Sequence, residues 1–203
     1  MGIATRTIEY TDGDTTLEAY MAWDDLSHDP RPGVLISHAW GGRGEHEQGS
    51  AERLAELGYV GFALDLYGKD VRGGSKEENA ALMQPLLDDR STLQRRMQLA
   101  LVQIRKQKET DGARVAAMGY CFGGLCVLDL ARTGADVAGV ASFHGLFGQP
   151  GNTEGNRISA KVLVLHGWEV PMATPDQVLG LADELTSMGA DWQVHAYGNT
   201  MHA

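Results

Sequence analysis

Five short runs of nearly unbroken apolar residues divide the chain: Val34–His38, Val60–Asp65, Val115–Gly119, Val137–Phe143 and Val162–His166. Runs without polar alternation are the pattern of parallel strands covered on both faces. Helical patterns fill the intervals. Ser50–Leu57 stops at Gly58, and Glu77–Lys108 is helix-rich, with Pro85 breaking or starting a segment and Ser91–Lys108 its stronger half. Gly124–Ala131 follows a glycine turn, and Thr174–Met188 opens on Thr-Pro-Asp and closes at Gly189. Ahead of this alternation, Ile3–Tyr10 and Thr15–Trp23 flank Asp12-Gly13-Asp14, which predicts an antiparallel hairpin at the sheet edge. Trp192–Tyr197 supplies a last strand. Strands alternating with helices predict an α/β fold, a three-layer sandwich on a mostly parallel sheet, with residues 1–203 forming a single domain.

Composition narrows the function. Hydrophobic residues make up 43% and charged residues 22%, which excludes a disordered chain. The net charge of −10, with 17 Lys and Arg that form no basic block, argues against nucleic acid or an anionic membrane as partner. No apolar run reaches the ~18 residues of a membrane span, and Met1–Tyr10 has no signal-peptide core, so the expected location is cytoplasmic. Two cysteines are too few for a disulfide framework, and both are read as free thiols. Oligomeric state is not legible.

Sites in open α/β sheets lie at the carboxyl ends of strands, so the residues after each apolar run carry the candidate chemistry. After Val115–Gly119 comes Gly119-Tyr120-Cys121-Phe122-Gly123-Gly124, a G-x-C-x-G pattern between a strand and a helix. A nucleophile on so tight a turn needs glycines two residues before and after to avoid clashes. The helix N-terminus behind it favours thiolate and a developing oxyanion, and the Phe122 N–H can donate to that oxyanion. Cys126, one turn into the helix, reads as an inert core thiol.

A cysteine nucleophile needs a base and a group to orient it. Of seven histidines, His202 follows the last strand, downstream of the nucleophile. His28 and His46 lie in polar loops and His195 lies mid-strand. His38 ends a strand and reads as a loop-shaping or pocket residue, while His144 and His166 end two other strands. The orienting acid is expected after Val162–His166, where Glu169 is the only carboxylate in the turn. No paired Cys/His spacing marks a metal site, so none is expected, and no cofactor is implied.

Gly-Tyr-Cys-Phe-Gly-Gly at 119–124, Leu-Asp-Leu-Tyr-Gly at 64–68, Leu-His-Gly at 165–167 and Gly-Asn-Thr-Met-His-Ala at 198–203 together resemble the dienelactone hydrolase family, from about Thr7 to Ala203. The resemblance implies an α/β-hydrolase fold and a Cys-His-Asp triad that opens lactones and cleaves small esters. Carried over by motif, Cys121 is the nucleophile and His202 the base, and the backbone N–H groups of Phe122 and Trp40 form the oxyanion hole. His38, Tyr67 and Trp168 are expected to contact substrate, with Phe143 and Met201 as further walls. Arg43, Arg72 or Arg90 would hold a substrate carboxylate.

Three departures stand out. The family's acid falls at Val170, directly before Pro171, and Glu169 is the neighbouring surrogate. Ala39 stands where dienelactone hydrolases proper carry a Glu, which favours a broader carboxylesterase-like activity. The family continues through a further loop and helix after its histidine, so the resemblance implies a natural chain longer than 203 residues. Two functions follow: a thiol-dependent ester or lactone hydrolase acting on a small molecule, or a catalytically impaired scaffold that binds a ligand or partner. A redox thiol protein is disfavoured by the lack of a Cys-x-x-Cys pair.

Overall fold

A computed structural model describes residues 2–26 and 29–202. His28 lies outside the described residues. An N-terminal hairpin, β1 (Ile3–Asp12) and β2 (Thr15–Asp24), leads into β3 (Arg31–Ser37), α1 (Glu45–Glu56), β4 (Val60–Ala63), α2 (Lys76–Asp88) and α3 (Arg90–Arg105). There follow β5 (Thr110–Tyr120), α4 (Phe122–Arg132), β6 (Gly139–Phe143), β7 (Lys161–Gly167), α5 (Pro175–Ser187) and β8 (Asp191–Tyr197). The eight strands form one sheet in the order β1-β2-β4-β3-β5-β6-β7-β8. β2 joins β4 antiparallel, and every pair from β4 through β8 is parallel. The expected mostly parallel sheet with an antiparallel N-terminal hairpin is the observed one, and the hairpin turns at Gly13 with φ of 59°.

This order locates the site. The chain runs outward from β3 to β4, then crosses back to place β5 on the other side of β3. The carboxyl ends of β3 and β5, in register at Ser37 and Gly119, flank the switch point where such sheets hold their ligands.

Two helices differ from expectation. α1 begins five residues before Ser50. Its first turns, Glu45-His46-Glu47-Gln48-Gly49, carry no apolar stripe, yet Glu47 accepts the Gly44 N–H at 2.8 Å and caps the start. Ala51 and Ala55 then pack so closely on the sheet that a side chain at Gly61 would run into the Ala51 backbone. Pro85 neither breaks nor starts a helix, because α2 runs through it. The break falls at Asp89, whose carboxylate accepts the Thr92 N–H at 3.1 Å and caps α3. α3 turns Leu93, Met97, Ala100, Leu101 and Ile104 inward, and α4 is buried throughout.

A buried ionic network ties α3, α4 and α5 together. Asp129, fully buried, accepts from Arg90 at 2.7 and 2.6 Å and from Arg132 at 3.1 Å, while the Arg132 fork also grips Glu184 at 2.8 and 2.7 Å. Removing one partner of such a network leaves buried charge uncompensated. Asp129→Ala is therefore expected to lower unfolding free energy by about 3–5 kcal/mol in urea titration. A loss below about 1 kcal/mol would show that the two arginines find other partners or water.

Candidate active site

The turn from β5 into α4 is an elbow. Cys121 sits there with φ of 56° and ψ of −116°, a left-handed backbone that a non-glycine residue adopts only under constraint. The constraint is visible. The Cys121 N–H donates to the Phe143 carbonyl at 3.0 Å, and its own carbonyl accepts from Gly124 at 3.0 Å. A side chain at Gly119 would strike the Gly123 backbone, and one at Gly123 would strike the Ser37 and His38 carbonyls. The glycine spacing read from the sequence is thus a requirement of packing.

Cys121 opens onto a cavity of about 390 Å³ lined by Ala39, Trp40, Met83, Cys121, His144, Leu146, Met172 and His202. Apart from the thiol and two imidazoles its side chains are apolar. His202 arrives from the far end of the chain. Parallel pairing of β8 with β7 runs to Tyr197, and Asn199, with φ of 53°, helps turn the chain back. The Thr200 carbonyl accepts the Glu169 N–H at 3.0 Å, and Gly167 lies so close to the Thr200 and Met201 carbonyls that no side chain fits there. His202 meets His144 edge to face with ring centroids 4.4 Å apart. Sulfur and one nitrogen of each ring lie within 4.8 Å of one another. This clustering of Cys121, His144 and His202 was not readable as a spacing, because His144 follows β6 and holds φ of 39° beside a loop 58 residues downstream in sequence.

The remaining residues divide. Glu169 is exposed, and among the described residues its carboxylate makes no bond to His202, whose Nδ1 is buried without a partner. Val170, at the family's acid position, is buried in the core at 2% exposure. The structure does not bring the Glu169 side chain to His202, because the turn spends its backbone N–H on the His202 loop and sends its side chain outward.

His38 is fully buried and lines no part of the cavity. Its Nε2 accepts the Leu66 N–H at 3.2 Å, which leaves the proton on Nδ1, 2.6 Å from the Ala39 carbonyl. Since the peptide is planar and trans, fixing the Ala39 carbonyl also fixes the direction of the Trp40 N–H. Tyr67 donates to the Trp40 carbonyl at 2.9 Å and sits against His38 at 4.7 Å, outside the cavity. The hydrogen bonds of His38 go to the backbone of Leu66 and Ala39, and its side chain does not reach the cavity where it was expected to contact substrate. Trp168 is 40% exposed and does not reach the cavity, nor do Phe143 and Met201 line it. The three arginines are committed elsewhere: Arg43 to Glu18 at 2.6 Å, Arg72 to the Arg43 carbonyl, and Arg90 to Asp129. Met83, Leu146 and Met172, which the motifs did not single out, complete the walls.

The electrostatics depart from the helix N-terminus expectation. Burial pushes the Cys121 thiol above its ordinary range, and the Phe122 N–H only partly offsets this. A raised value means less thiolate at neutral pH. Iodoacetamide should therefore alkylate Cys121 more slowly than a free cysteine at pH 7, with the rate rising as pH climbs toward the raised value. Faster alkylation than free cysteine at pH 6–7 would mean that the thiol rests as an ion pair. Burial, and secondarily the charge of His202, holds His144 below the usual histidine range. Cys126 is buried and its thiol is pushed well up, in keeping with an inert core residue.

An eight-stranded α/β sheet with a cysteine-bearing strand-to-helix elbow at the switch point and a histidine from the loop after the last strand is the arrangement of an α/β-hydrolase fold. The sequence profile of the dienelactone hydrolase family matches residues 17–203, and the chain belongs to that family. A structure described as a dienelactone hydrolase-like promiscuous phosphotriesterase, P91, from metagenomic libraries, is 36% identical with a TM-score of 0.93, covering 100% of this chain and 84% of that one. A second, titled m3DLH, is 34% identical with a TM-score of 0.94 over 100% of this chain and 84% of that one. An uncharacterized protein of Caenorhabditis elegans, K02A2.1, is 28% identical over 121 residues, 57% of this chain and 75% of that protein. The chain is a dienelactone hydrolase-like enzyme, a hydrolase. Among the described residues, no helix is long and apolar enough to cross a membrane.

Proposed function

We propose that the protein hydrolyses small carboxylic esters or lactones through a cysteine nucleophile, Cys121, with His202 as general base. The observation that carries this reading is the thiol on its left-handed elbow within 4.8 Å of an imidazole nitrogen, facing an apolar cavity of about 390 Å³. The raised thiol affinity for its proton assigns the first step to the base: His202 takes the proton as sulfur attacks the acyl carbon. The carbonyl oxygen becomes an oxyanion held by the Phe122 and Trp40 N–H groups. Collapse expels the alcohol, which receives the proton from His202, and leaves a thioester on Cys121. Water, deprotonated by His202, then attacks the thioester and releases the acid and the thiol. No cofactor enters this cycle.

Apolar walls without a charged side chain support an uncharged acyl group of modest size over an anionic one. His38 and Tyr67 act from behind, holding the Trp40 peptide in place. The description of one relative as a promiscuous phosphotriesterase supports phosphotriesters as a second substrate class for the same cavity.

A scaffold reading draws support from one observation, the unpartnered Nδ1 of His202 where the family has an acid. Hydrolysis of p-nitrophenyl acetate and butyrate separates the two. Continuous turnover that depends on Cys121 supports the enzyme, and a single burst supports a thiol that acylates but is not released. Rates equal to a Cys121→Ala background would contradict both forms of the chemistry.

A further inference from the structure

We propose that Cys121, His144 and His202 form a site for a soft divalent cation of the zinc type, which closes the cavity by occupying the nucleophile and the base together. One sulfur and two imidazole nitrogens, from the β5–α4 elbow, the turn after β6 and the loop after β8, lie within 4.8 Å of one another. Around zinc, Zn–S and Zn–N bonds of about 2.3 and 2.0–2.1 Å set ligand atoms about 3.3–3.6 Å apart, so the set must contract by up to about 1.2–1.5 Å at its widest. Side-chain rotation supplies that distance. Among the described residues, the His144 and His202 Nδ1 atoms are buried without partners, and no side-chain carboxylate bonds the His202 ring. The aspartate that would lock that ring is absent, since Val170 stands in its place.

The donor set selects the ion. One thiolate and two neutral imidazoles suit zinc, cobalt or copper, and the cluster has no carboxylate to favour magnesium or calcium. On binding, the Cys121 thiol gives its proton to solvent and sulfur coordinates as thiolate. Three protein ligands leave a fourth position open toward the cavity, for water. Because, among the described residues, neither ring is backed by a hydrogen-bonded partner at Nδ1, affinity is expected to be about 10–100-fold below that of a backed site.

The binding stands on this geometry; the consequence, reversible inhibition, rests on the function proposed above. Cobalt(II) is the probe for the first, through the thiolate-to-metal charge-transfer absorption that only sulfur coordination produces. Titration of the full chain should give that band at one equivalent, displaced by zinc and absent from Cys121→Ser. His144→Ala and His144→Gln, each checked for folding by circular dichroism, should weaken cobalt binding at least about 10-fold. A titration without the band would overturn the site. So would a band that keeps its affinity in both His144 variants, or one lost in Cys126→Ser. Zinc should also protect Cys121 from iodoacetamide and stop ester turnover over one concentration range. Protection with turnover intact would leave the site standing and contradict Cys121 as nucleophile.

Discussion

Cys121→Ala should lower p-nitrophenyl ester turnover by at least about 10³-fold, to the level of residual oxyanion and cavity effects. The loss is in kcat, since alanine removes the attacking atom while the apolar walls that hold the acyl group remain. Stability should move little. The Cys121 side chain makes no hydrogen bond to another side chain among the described residues, and its elbow is held by backbone bonds to Phe143 and Gly124. A Cys121→Ala protein that unfolds at the same urea concentration yet turns over ester at the wild-type rate would remove the thiol from the chemistry. Cys126 would not replace it, since that thiol is fully buried inside α4.

Val170→Asp should raise kcat. The motif resemblance puts the family's acid at Val170, and the turn that carries Val170 is bonded directly to the His202 loop, through Glu169 N–H to Thr200 and Trp168 N–H to Tyr197 at 2.8 Å. A carboxylate there that reaches the buried, unpartnered Nδ1 of His202 would fix the tautomer that leaves Nε2 free to take a proton and stabilise an imidazolium. Loss of the orienting acid costs about 10⁴ in kcat in a serine protease, so a gain on the order of 10²-fold is a conservative expectation for a site not evolved around it. The substitution also buries a charge in the core cluster beside Ala173 and Val178, and stability should fall by about 1–3 kcal/mol. A folded Val170→Asp protein with unchanged kcat would mean that orientation of His202 does not limit the rate.

The sheet was legible because its strands are apolar runs, and the elbow because a strained turn admits so few residues at 119, 123 and 124. The start of α1 was hidden, since a capped polar turn leaves no apolar period to read. Pro85 misled for the opposite reason: a helix exposed on much of its surface accommodates a missing N–H that a buried one would not. At the site, Cys121, His202 and Trp40 could be named from local motifs, and the structure brings all three to one cavity. His144 could be placed only at the carboxyl edge of the sheet, because its contact with His202 joins two segments through β7 and β8 rather than through any spacing. Glu169 was the one carboxylate the turn offered, and adjacent residues on a turn face different ways: its neighbour Val170 is buried while Glu169 is exposed. His38 shows the same limit. A histidine at a strand end reads as a loop-shaping or a pocket residue, and only the hydrogen bonds to Leu66 and Ala39 show that its side chain faces the loop and not the cavity.

The central claim is covalent acyl transfer to one sulfur, and rapid acid quench of the enzyme with p-nitrophenyl butyrate, followed by peptide mass mapping, tests it most directly. A butyryl increment is expected on the peptide containing Cys121, present within the first turnover and absent from Cys121→Ala. Turnover with no acyl increment on that peptide, or with the increment on another residue, would contradict it.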